Sequence, residues 1–117
     1  MNVIKTLANK TSTDLTGKEG YAVKYDTSGI ALCSAITDQA IGIITRGGAT
    51  ESDVCIYGEC VALAGATITA GKHVIPHTDG TVKNTASSSQ EFALCLESGV
   101  AGDLVQIVVL GSNKTVS

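Results

Sequence analysis

The stretch GYAVKYDTSGIALCSAITDQAIGIITRGGATESDVCIY, residues 20–57, decides the fold because the chain contains it twice. Moved forward by 51 residues (71 − 20), it aligns without a gap with residues 71–108. Nine of the 38 aligned positions are identical, whereas composition alone would give roughly three. The nine pairs are Gly20/Gly71, Val23/Val74, Thr27/Thr78, Gly29/Gly80, Ala35/Ala86, Gln39/Gln90, Gly48/Gly99, Val54/Val105 and Ile56/Ile107. The duplication preserves turn glycines and apolar positions, and it therefore predicts two similar halves.

Each copy consists of short runs of alternating apolar and polar residues that are bounded by Gly, Asp and Ser, a pattern typical of β-strands. The predicted strands cover 21–25, 30–35, 40–45 and 54–63, and then 72–75, 81–84, 92–96 and 104–110. No segment keeps a 3.6-residue period between capping residues, so no helix is predicted. The sequence predicts an all-β fold, a compact β-sandwich or barrel with about four short strands per half.

The chain is long enough for one domain with modest extensions. Residues 1–17 precede the repeat and are predicted to form an N-terminal extended arm, with a possible edge strand in Asn2–Leu7. Residues 18–111 form the domain, and 112–117 a polar tail. An arm of this kind often docks on a neighbouring molecule. A frayed terminus without a role is the alternative.

Composition excludes several classes of partner. The net charge is −3 and the Lys and Arg residues are scattered, so no nucleic acid is expected. No apolar run approaches the roughly 20 residues of a membrane helix, and no signal peptide is recognisable. We therefore expect no membrane partner and production in a cytoplasm. Charged residues make up only 16%, which favours either a surface covered by copies of the same chain or an uncharged Ser/Thr surface.

The thiols and imidazoles do not form a recognisable metal or catalytic motif. In a cytoplasm the four cysteines are expected to be free and buried. Cys55 and Cys60 are five residues apart, so a regular strand would direct them to opposite faces. His73 lies in a predicted strand and His77 in a turn, which favours a surface pair over a ligand site. The cysteines are Cys33, Cys55, Cys60 and Cys95.

The remaining reactive groups also lack a catalytic arrangement. No serine lies in a G-x-S-x-G elbow. Five aspartates fall in predicted turns, where Asp shapes the backbone, namely Asp26, Asp38, Asp53, Asp79 and Asp103. We therefore expect no catalytic residue, no cofactor and no metal, and a protein that is not an enzyme.

The run GYAVKYDTSGIAL…DQAIGIIT…SDVCIYGECVAL resembles the head-decoration, or cement, proteins of tailed bacteriophages. The shared features are a strand that enters an Asp/Gly turn, the segment Ala40-Ile41-Gly42-Ile43, and the strand Val54-Cys55-Ile56-Tyr57-Gly58. The resemblance covers about residues 17–111.

This resemblance implies a protein on the outer surface of the virion that binds the major capsid protein, bridges neighbouring capsomers and self-associates, commonly as a homotrimer. The apolar arm residues Val3, Ile4 and Leu7 are then the candidates for capsid contact. A small β-sandwich module for attachment to a host surface or carbohydrate is the alternative, although such a module usually carries exposed aromatic residues, and the chain has three Tyr, one Phe and no Trp.

Overall fold

The computed structural model of the protein describes residues 5–36, 38–84 and 92–110, and within this part residues 5–9 are described by their backbone alone. These residues form nine β-strands and no helix. The strands are β1 (Lys5–Lys10), β2 (Ala22–Asp26), β3 (Gly29–Leu32), β4 (Gly42–Arg46), β5 (Glu51–Leu63), β6 (His73–Pro76), β7 (Val82–Asn84), β8 (Ala93–Cys95) and β9 (Leu104–Val109). The prediction of a compact all-β fold is confirmed, and the strands β2 to β9 overlap the eight predicted ones.

All strand pairs are antiparallel, and the strands form one curled sheet in the order β3-β2-β4-β5-β9-β8-β6-β7, with β1 paired to β5. The strand order is the same in each half when it is read from the outer end of the sheet toward the β5–β9 pair at its middle. The first half has β3-β2-β4-β5, and the second has β7-β6-β8-β9. The duplicated sequence thus produces a duplicated strand order.

Equivalent backbone hydrogen bonds support this correspondence. Gly20 N donates to Ile44 O at 2.9 Å, and Gly71 N donates to Cys95 O at 2.8 Å. All four residues obey the 51-residue offset of the sequence alignment. The offset is larger at the N-terminal end of the repeat. Leu15 N donates to Gly48 O and Ile68 N donates to Gly99 O, both at 2.9 Å, and the two acceptors keep the offset of 51. Leu15 and Ile68 are 53 residues apart.

The same larger offset makes β1 part of the repeat. Leu7 of β1 lies opposite Val54, whereas Cys60 of β5 lies opposite Ile107 of β9. Both members of the pair have moved by 53 residues (60 − 7 and 107 − 54). The first half of the molecule therefore begins at β1, and residues 58–63 of β5 are the second half's equivalent of β1. The boundary predicted at residue 17 lies inside this repeating unit.

Each half also curls back on itself. Directly after β1, Thr11 forms a parallel bridge with Ile30 of β3, and Ala64 forms the same bridge with Val82 of β7 directly after β5. Because β3 and β7 lie at the opposite ends of their half-sheets from the bridging segments, these bridges draw each half into a ring. The unpaired strand edges that favour aggregation are shortened in this way.

Two apolar clusters stabilise the halves. The smaller fills the first half and contains Leu15, Val23, Ile30, Ile44 and Val54. The larger fills the second half with equivalent residues, including Ile68, Val74, Val82, Cys95 and Ile107. It also includes residues from the outer face of the first half, such as Ala22, Ile43 and Cys55. The second half thus packs against the outer face of the first, and one continuous core joins them.

Candidate interaction surfaces

The predicted capsid-contact residues belong to the N-terminal segment. Val3 and Ile4 lie outside the described residues. Leu7 lies in β1, where its backbone is opposite Val54. Residues 5–10 pair antiparallel with residues 51–57 of β5, so this part of the predicted arm adds an edge strand to its own domain.

Residues 11–16 continue this contact with the same domain. Thr11 N donates to Thr50 O at 3.0 Å, and the Thr11 hydroxyl donates to Ala49 O at 3.1 Å. Leu15 is buried, with 1% of its surface exposed, and belongs to the smaller apolar cluster. Residues 11–16 therefore cover one side of the first half-sheet.

A cleft of about 520 Å³ lies where the two halves diverge. The first half contributes residues 19–20 and 44–45, and the second contributes residues 59–61 and Leu104. Its floor is mostly apolar, and Glu19 stands at the rim. The backbone N–H of Gly47 donates to Glu19 Oε2 at 2.9 Å, and this bond lowers the pKa of the Glu19 carboxyl. Such a cleft can hold an apolar side chain of a partner beside a carboxylate.

The thiols Cys55 and Cys60 are on the same side of β5, so the prediction of opposite faces is wrong. Gly58 between them has a φ of 101°, a conformation that reverses the alternation of the strand. The interaction between the two thiols lowers the pKa of Cys55 and raises that of Cys60. Cys33, Cys55, Cys60 and Cys95 are all free thiols, of which only Cys60 is not fully buried.

His77 and several aspartates form hydrogen bonds or ion pairs with residues near them in the chain. His77 Nδ1 accepts a hydrogen bond from Thr78 N at 2.7 Å, within the turn that follows β6. Asp26 and Asp79 accept from the backbone N–H two residues later, as expected of turn aspartates. Asp53 differs from its prediction, because it lies within β5 and forms an ion pair of 3.0 Å with Arg46.

Across residues 5–36, 38–84 and 92–110, no three side chains among His, Cys, Asp and Glu are grouped closely enough to hold a metal ion. The same residues include no helix with the length and hydropathy needed to cross a membrane.

The protein is similar over nearly its whole length to a solved structure. That structure is the N base of head fiber gp8.5 in bacteriophage phi29. The similarity covers 97% of this chain and 100% of that chain, with a TM-score of 0.59 and 18% sequence identity. At that identity the likeness establishes the fold. No family model and no curated protein matches the sequence.

Sequence reasoning missed the cleft and the full extent of the repeat. The cleft depends on the change of direction at Gly58, and a glycine within an apolar strand signals a bend without giving its angle. The full repeat leaves little signal, because Thr16/Thr69 is the only identical pair when residues 5–17 are aligned with 58–70. Leu15 and Ile68 occupy equivalent buried positions, but they are different residues.

Proposed function

We propose that this chain is a structural protein of a phage head that binds the outside of the assembled capsid and bridges neighbouring capsomers. The observation that carries the proposal is the similarity of the whole chain to a head fiber base of phage phi29. The sequence resemblance to head-decoration proteins, which rests on different evidence, suggests the same kind of role. Both comparisons concern proteins attached to a phage head.

The physical character of the chain agrees with this role. The larger apolar cluster contains residues of both curled half-sheets and joins them into one body. A decoration protein acts by position, and weak contacts that are repeated over a shell add up through avidity. We propose a non-enzymatic protein that self-associates and contacts the major capsid protein.

The N-terminal residues Val3 and Ile4 are the proposed capsid contact. They precede β1, the edge strand of the first half. In this arrangement their apolar side chains can pack on a capsid edge while residues 5–10 stay paired with β5. Leu7 is the third proposed capsid contact, and it lies within β1.

The test is co-sedimentation with empty expanded capsids of the phage that encodes the chain. The double variant Val3→Asp/Ile4→Asp should lose binding, since two buried carboxylates would oppose an apolar contact. Val116→Asp, in the opposite tail, is the matched control and should bind normally. Deletion of residues 1–10 is less informative because it also removes β1. A wild-type chain that remains in the supernatant with saturating capsids would refute the function, and a double variant that binds normally would refute the contact.

A further inference from the structure

The corresponding faces of the two half-sheets differ in how deeply they are buried. In the first half, Ala22, Ile43 and Cys55 form a row across β2, β4 and β5, since Ala22 is opposite Ile43 and Ile43 is opposite Cys55. All three are completely buried. They belong to the apolar cluster that fills the second half, so the second half covers this face.

The corresponding row in the second half is not covered to the same extent. His73 is opposite Leu94, and Leu94 is opposite Val108, across β6, β8 and β9. His73 is exposed, and Leu94 and Val108 are only partly buried. In the described part of the chain no third unit packs on this row as the second half packs on the first.

Apolar residues extend this row into a larger surface. We name Val61, Leu94, Leu96, Leu104 and Val108 the open face. Val61 is 46% exposed, Leu96 is 43% exposed and Leu104 is 61% exposed. Leu104 is opposite Leu63, and Val61 is opposite Gln106, so the residues are neighbours across β5 and β9. Contiguous exposed apolar residues of this kind mark an interaction site.

The repeat shows that these leucines are not required by the fold. In the first half the position of Leu96 is occupied by Thr45 and that of Leu104 by Glu51, with offsets of 51 and 53 residues. Both first-half residues are polar and exposed. The same scaffold therefore accepts polar residues at these positions, and the second half carries leucine instead.

The charge around the open face favours an apolar partner. The Gln106 side-chain amide donates to Glu59 Oε1 at 3.3 Å, and the Gln106 backbone N–H donates to Glu97 Oε1 at 2.9 Å. Gln106 thus binds two carboxylates that border the face, and Glu19, which lines the cleft with Val61 and Leu104, accepts a hydrogen bond from Gly47 N. The open face also adjoins the contact between the halves, because Leu104 Cδ2 lies 3.4 Å from the position a Cβ would take on Gly20.

We propose that a second copy of this chain docks on the open face. The first half already uses the equivalent face for a contact with this chain's own sheet, and the open face continues that contact outward. The inference specifies the self-association part of the proposed function by naming the surface. It needs no capsid contact to be true, so the two can fail separately.

The experiment measures the mass of the full-length protein by light scattering over a concentration series, without capsids. Leu104→Lys should weaken association at least about tenfold and shift the mass toward the 11.9 kDa monomer. Ile36→Lys is the matched control, because Ile36 is 44% exposed but belongs to the first half, and it should associate like the wild type. Leu104→Asn repeats the test with an uncharged residue, and thermal unfolding shows that each variant is folded.

A wild-type protein that remains monomeric at all concentrations would overturn the inference. So would folded Leu104→Lys and Leu104→Asn variants that both associate like the wild type. Association through the open face in a protein that does not co-sediment with capsids would support the inference and remove the proposed function.

Discussion

At the scale of single residues, carboxylates in this protein organise loops. Asp38 Oδ2 accepts hydrogen bonds from Ser34 N at 2.7 Å, from Ala35 N at 3.0 Å and from Lys24 Nζ at 3.0 Å. Partial burial raises the pKa of Asp38, but the hydrogen bonds to Ser34, Lys24 and Ala35 outweigh it, so the net pKa is lowered. Asp38 therefore fixes the loop between β3 and β4 in its ionised form.

Asp38→Asn should destabilise the fold by about 1–2 kcal/mol at pH 7, since an amide oxygen in the place of Oδ2 lacks the charge that strengthens these hydrogen bonds and attracts Lys24. A carboxyl whose pKa is lowered in the folded state stabilises above its unfolded pKa and loses that effect as pH falls through the folded pKa. The difference in free energy of unfolding between the wild type and Asp38→Asn should thus shrink below about pH 4. Urea unfolding at several pH values checks this, with Glu51→Gln as the exposed control. A difference that is independent of pH would contradict the role of Asp38.

Cys33 should be unreactive in the folded protein. Burial, and secondarily the negative charge of Asp38, raises the pKa of Cys33 to about 12. At pH 8 only about one thiol in ten thousand is then a thiolate, the form that reacts. Iodoacetamide treatment followed by peptide mass spectrometry should find Cys33 unmodified before unfolding and modified in urea. Rapid modification of Cys33 in the folded protein would show that the β3 end is open to solvent.

At the scale of elements, β5 is the strand on which both halves depend. Its residues 51–57 pair with β1 and β4, and its residues 58–63 pair with β9. The positive φ of Gly58, in the buried middle of the strand, separates these two parts. Residues before the bend that point outward from the first half are thereby directed into the core of the second, as Cys55 is.

Gly58→Ala should lower the free energy of unfolding by about 1–2 kcal/mol, because a Cβ is strained at this φ. Gly17→Ala is the comparison, since Gly17 has a φ of 80° and a Cβ there would meet no atom within 4 Å. The Gly17→Ala variant therefore measures the effect of backbone strain without a steric clash. Thermal and urea unfolding should show that Gly58→Ala lowers the free energy of unfolding by at least as much as Gly17→Ala does. A smaller cost at Gly58 would show that the bend does not need this conformation.

The positions of the strands could be predicted from the sequence better than the way in which the strands pair. Alternation and turn residues located β2 to β9, because each strand is short and has its own boundaries. Gly58 signals a bend in β5, but the direction of that bend and the pairing of β1 with β5 could not be predicted, since they depend on one backbone angle and on contacts between residues far apart in the chain. Leu7 and Cys60 occupy equivalent positions in the sheet, yet nothing in their identities shows it. The capsid contacts proposed at Val3, Ile4 and Leu7 stay a prediction, and the cleft between the halves could not be predicted because it depends on the same bend.

At the scale of the whole molecule, the shared core should make the two halves unfold together. Ile43 of the first half is fully buried in the cluster that fills the second half, whereas Leu15 lies in the cluster of the first half alone. Either half without the other would expose part of this shared core, so neither is expected to be stable alone. Unfolding in urea should therefore show one transition, with the same midpoint by circular dichroism and by tyrosine fluorescence.

Ile43→Ala should lower the free energy of unfolding by about 2–4 kcal/mol and keep that single transition. Leu15→Ala is the matched change in the smaller cluster and should also leave one transition, because the first half cannot loosen without uncovering Ile43 and Cys55. A second transition that appears in Leu15→Ala alone would mean that the halves are coupled through β5 rather than through the core. The protein would then have a hinge between its halves, and it could not act as the rigid bridge between capsomers that we propose.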